Sequence, residues 1–97
     1  MNIKFLKEGV AVTSVEIKAD QSTTQSLVVS NDSGPASSGQ EVTIETSAPL
    51  FIDKIKGKLD ATGKLTLVVG PSFGARGDVQ LVARCKNKTD ALKIRFV

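Results

Sequence analysis

The chain has 97 residues, with 13 basic and 10 acidic side chains giving a net charge of +3, and 40% of its residues are hydrophobic. Such a length makes one domain, with a core large enough to fold without a metal or a disulfide. There is no Trp, Tyr or His, and Cys85 is the single cysteine, so the usual general base, the usual metal ligand, an intrachain disulfide and a multi-cysteine zinc site are all excluded.

At the N-terminus, Met1-Asn2-Ile3-Lys4-Phe5-Leu6 is apolar only until Lys7 and Glu8, well short of the roughly 7–15 apolar residues of a secretory signal. No stretch reaches the roughly 20 apolar residues of a membrane span. The expectation is a soluble chain made in the cytoplasm, with residues 1–11 as an extension ahead of a domain over 12–97.

From there on, short alternating segments are punctuated by Gly, Pro, Asn, Asp and Ser, the spacing of a β-sandwich or barrel. No window holds a 3.6-residue period over helical length. The first predicted strand is Val12–Ala19, with Val15, Ile17 and Ala19 on one face. The second is Thr24–Asn31, with Leu27 and Val29 inward. A turn-rich stretch, Asn31 to Gly39, leads to a third over Glu41–Ser47, with Val42 and Ile44 inward. A fourth over Phe51–Leu59 alternates poorly, which suggests a bulge. Asp60-Ala61-Thr62-Gly63 reads as a tight turn before Lys64–Val69, where Leu65, Leu67 and Val69 face in. After a Gly- and Pro-containing loop, Asp78–Lys86 places Val79, Leu81, Ala83 and Cys85 on one face. Asn87-Lys88-Thr89-Asp90 closes a hairpin to Ala91–Val97, with Leu92, Ile94 and Phe96 inward. Seven half-buried strands each have a face to hide, and two stacked antiparallel sheets hide them.

Three segments carry a resemblance: Val29 to Ile44 through the Asn-Asp-Ser-Gly-Pro turn, Leu59-Asp60-Ala61-Thr62-Gly63-Lys64-Leu65-Thr66-Leu67, and Gly77-Asp78-Val79-Gln80-Leu81-Val82-Ala83. Over roughly Val12 to Val97 the chain resembles bacterial immunoglobulin-like domains of the invasin and intimin type. The resemblance implies an all-β, immunoglobulin-like two-sheet sandwich with no catalytic residues. Domains of this kind serve as spacers in bacterial adhesins and as modules on phage virions. They usually stand in tandem arrays, whereas here one stands alone behind its extension.

Chemistry-bearing motifs are few. Arg76-Gly77-Asp78 spells the integrin tripeptide, but Gly77-Asp78 also suits a loop-to-strand turn, and short motifs recur by chance. Asn31-Asp32-Ser33 and Asn87-Lys88-Thr89 fit the glycosylation pattern but sit in turns, where Asn and Ser serve the backbone. Cys85 has Arg84 and Lys86 beside it in sequence; alternation puts them on the opposite face, so the thiol is expected in the core. Glu41 and Glu45 share an exposed face and are expected to pair with Arg84 or Lys86 across strands.

The candidate sites are therefore surfaces for a protein partner. Arg84, Lys86, Lys93 and Arg95 form a basic outer face, partly neutralised and with no aromatic residue to stack on bases, which argues against nucleic acid. Val28 and Val68 are expected side by side, facing away from the core. Ile3, Phe5 and Leu6 give the extension more apolar bulk than a free tail should expose. These features point to a non-catalytic, cofactor-free module, with homo-oligomers allowed. The expected role is a capsid decoration (cement) protein bound to other proteins of a bacteriophage virion, the alternative being a spacer or adhesin module at the bacterial cell surface.

Overall fold

A computed structural model of the chain describes residues 2–20, 22–72 and 77–97. Two five-stranded sheets face each other across one apolar core. In chain order the strands are β1 (Ile3–Lys7), β2 (Val10–Ala11), β3 (Ser14–Ile17), β4 (Gln25–Asn31), β5 (Glu41–Thr46), β6 (Phe51–Ile52), β7 (Lys56–Lys58), β8 (Lys64–Gly70), β9 (Gly77–Cys85) and β10 (Lys88–Phe96). The first sheet has the order β2-β1-β4-β8-β6 and the second β3-β10-β9-β5-β7. Neighbours run antiparallel except β3, which lies parallel to β10 at the edge of the second sheet. Among the described residues the helical content is one 3-10 turn, Gly34–Ser37, begun by Pro35.

A strand forms in each of the seven predicted segments. The alternation that announces them places Leu27, Val29, Val42, Leu67, Leu81, Ala83, Leu92 and Ile94 fully inside. Ala19 is exposed rather than inward: the last core pair of this edge is Phe96 with Ile17, and Ala19 lies past it beside the exposed Val97. The poorly alternating fourth segment is two strands rather than one with a bulge. β6 pairs with β8 in the first sheet and β7 with β5 in the second. Between them, the Asp53 N–H donates to the Val68 carbonyl (3.0 Å) and the Val68 N–H to Asp53 Oδ1 (2.9 Å). The Ile44 N–H then reaches the Ile55 carbonyl at 2.7 Å. A chain that changes sheets swaps its inward face, which breaks the period of two.

The larger correction concerns the N-terminus. Residues 3–7 are not an extension but an interior strand: β1 lies between β2 and β4, with Phe5 opposite Val29 and Ile3 opposite Asn31. Ile3 and Phe5 are buried, Phe5 completely. The Phe5 N–H donates to Asp90 Oδ2 at 3.1 Å, tying the first sheet to β10 of the second. The physical reason is the alternation Ile3, Phe5 against Lys4, which is a strand signal in five residues. Residues Ile3–Lys7 are thus built into the first sheet.

Turns close both ends. Glu8 and Gly9, both with positive φ (52° and 81°), join β1 to β2. At the same end as the 3-10 turn, Asp60 Oδ1 accepts hydrogen bonds from the Thr62 N–H, the Thr62 hydroxyl and the Lys64 N–H. This network holds Gly63 beneath Gly34 and Ser37.

Candidate protein-binding surfaces

The outer face of the second sheet carries the charges. Arg84 on β9 donates to Glu45 on β5 (Nε–Oε1 2.7 Å), and Arg95 on β10 to Asp78 on β9 (Nε–Oδ1 3.0 Å). Lys56 Nζ lies 3.5 Å from Glu41 Oε1. Glu45 thus takes the expected partner Arg84, whereas Glu41 takes Lys56 of β7, a strand that alternation alone merges into a longer one. The Arg95 hydrogen bond holds the Asp78 carboxyl below the usual aspartate range, and Asp78 in turn raises Arg95. Lys93 stands opposite Gln80 on one side and Ser14 on the other. Lys86 occupies the β9–β10 turn with φ 55°, apart from the sheet face. The four basic candidates are thus three on one face and one at a hairpin tip, with two of the three in ion pairs. This is a neutralised ladder rather than a basic patch.

The outer face of the first sheet is apolar at its centre. Leu6 is opposite Val28, Val28 opposite Thr66, and Val68 opposite Ser26, so Val28 and Val68 are diagonal neighbours. All three apolar residues are half-buried. Phe51 of β6, opposite Gly70, is 47% exposed and extends the stripe. Of the three N-terminal candidates only Leu6 belongs to an outer surface; Ile3 and Phe5 are spent on the core. Sequence reasoning misses Phe51 because its two-residue strand carries no period to read.

Cys85 is buried, its Sγ 3.2 Å from Gln40 Oε1. Asn31 is buried too, with Oδ1 accepting the Ser33 N–H, so one acceptor pattern is a turn inside the structure. Arg76 of the integrin tripeptide lies outside the described residues, and Asp78 is held by Arg95. Among the described residues no three His, Cys, Asp or Glu side chains gather to hold a metal, and no helix is long and apolar enough to cross a membrane. A groove of about 600 Å³ is lined by Lys7 of β1, Val12, Ser14, Val15 and Glu16 in and before β3, and Lys93 and Arg95 of β10.

No protein-family profile matches the chain, and no curated protein matches it. Solved structures do. WR4, a C. elegans MSP family member, superimposes with a TM-score of 0.68 at 10% identity, over 88% of this chain and 93% of that one. The D00-D0 domain of intimin gives 0.70 at 20% identity over 97% of this chain and 46% of the other. The E. coli chaperone DraB gives 0.69 at 13% identity, over 98% and 54%. The shared fold is the immunoglobulin-like β-sandwich. The chain spans about half of the intimin and DraB chains, and three different kinds of protein match equally well. The likeness therefore fixes the sandwich without singling out the invasin and intimin type.

Proposed function

We propose that the chain is a spacer or adhesin module of a bacterial cell-surface protein, a rigid non-catalytic unit that positions or presents its neighbours. The observation that carries this reading is where the two ends of the chain lie. Asn2 exchanges hydrogen bonds with Asp32, beside the 3-10 turn. Val97 pairs with Ile17 and Ala19, and Phe96 with Gly77, at the far end of the strands. The molecule measures 40 × 22 × 19 Å. A module entered at one end and left at the other extends a stalk by its long dimension. The intimin fragment, of which this chain matches one half, supports the same reading. Capsid decoration, the role expected from sequence, draws on the resemblance and on an N-terminal docking arm, and Ile3 and Phe5 of that segment are buried in the core.

Protease shaving of intact cells that carry the natural gene, followed by detection of the chain, tests the proposal. Release of the chain from the cell surface is expected. Co-sedimentation with purified phage particles, and none with cell envelopes, would overturn it in favour of the capsid role.

A further inference from the structure

Among the described residues four strands are edges: β2, β6, β7 and β3. Two are two residues long, and β7 is Lys56-Gly57-Lys58, protected by its lysines. β3 is the longest at four residues, contains no proline, and its ladder with β10 continues to Ala19.

The backbone alternates. The Thr13 carbonyl accepts from Lys93, the Ile17 carbonyl accepts from Val97, and the Ala19 N–H donates to Val97. Odd-numbered residues therefore serve β10, and Ser14, Glu16 and Lys18 turn their N–H and C=O groups away from it. All three side chains are exposed on the outer face. Across that face, Asp78, Arg95 and Glu16 stand directly opposite one another on β9, β10 and β3. The row alternates in sign and ends on a carboxylate at the free edge, so the next strand should supply a cation there.

We propose that the β3 edge pairs antiparallel with the β3 edge of a second copy, joining two five-stranded sheets into one. Two-fold symmetry and the outward set permit few registers. One puts Glu16 opposite Glu16 of the partner copy and is repulsive. Another puts Ser14 opposite Glu16 and leaves the charge unanswered. The third, centred on Ile17, puts Glu16 opposite Lys18 twice over, which completes the charge row in both directions. Self-complementarity of this kind is what an isologous interface requires, and charge pairing fixes register more than it sets affinity.

The test is sedimentation equilibrium of the full chain, of E16K, of K18E and of their equimolar mixture, with circular dichroism to establish that each is folded. The unaltered chain is expected to dimerise. Each single variant, facing like charges, should lose affinity by about tenfold or more. The mixture should recover it, because the doubly basic edge of E16K then meets the doubly acidic edge of K18E. Glu16→Pro should abolish dimers while leaving the melting curve in place, since the Glu16 N–H is not used by β10. A chain that stays monomeric at millimolar concentration, single variants that dimerise like the unaltered chain, or a mixture that remains monomeric would each overturn the proposal. So would an unrelated extended peptide occupying this edge on a chain that never dimerises.

Discussion

Gly63 is held where no side chain fits. Its φ of 82° disfavours any L side chain, and a Cβ there would strike the Gly34 carbonyl oxygen and lie 2.7 Å from Ser37 Oγ. Gly63→Ala should cost about 2–4 kcal/mol, combining left-handed strain with overpacking, measured by urea denaturation. Glu8 presents the opposite case. It sits in the left-handed region at the start of a Glu-Gly turn, where Asn-Gly is favoured. Glu8→Asn should raise stability by about 0.5–1 kcal/mol. Three exposed aspartates give the domain an acid limit. Hydrogen bonds from Ser22 and Thr23 to Asp20, from Thr62 and Lys64 to Asp60, and from Arg95 to Asp78 all hold these carboxyls below their ordinary value of 3.8. Groups depressed in the folded state stabilise it fully above the unfolded value. That contribution fades as pH falls through the folded values. Melting temperature should therefore hold above about pH 5 and decline below about pH 4. Asp60→Asn should lower the neutral-pH melting temperature and soften the acid decline.

At the scale of elements, β1 is decisive. Phe5 is fully buried, and Phe5→Ala should cost about 3–5 kcal/mol. Leu6→Ala, on the outer face, should cost far less. A chain beginning at Ala11 would expose one side of β4 and is expected to lose cooperative unfolding, read by differential scanning calorimetry. Much of this architecture is legible in sequence. Leu65-Thr66-Leu67 and Val79-Gln80-Leu81-Val82-Ala83 announce their strands because one face of each meets the core and the other meets water. The same count places Cys85 correctly. β1 reads as a tail because its alternation, Ile3-Lys4-Phe5, breaks at Leu6, and because the Lys7-Glu8 pair that follows marks a turn as well as a tail. β6 and β7 escape because a strand that crosses between sheets has no single inward face. The candidate surfaces are legible only in part. Which charges share a face follows from alternation, and the β9–β10 hairpin brings Asp78 beside Arg95, but Glu41 with Lys56 depends on which strands become neighbours across the sandwich, and no local pattern encodes that.

At the scale of the molecule, the sandwich is closed by turns at both ends, and its charged face is largely neutralised by internal pairs. Its chain ends point in opposite directions. These properties suit a unit that bears distance and orientation rather than one that encloses a ligand. Two copies joined through a short linker, Val97 of the first to the start of the second, should stack lengthwise. Small-angle X-ray scattering of that fusion, at concentrations low enough to prevent self-association, is the most direct measurement. An end-to-end spacer predicts a maximum dimension close to twice the 40 Å length of one module. A fusion little longer than a single module, with its two sandwiches folded side by side, would contradict it.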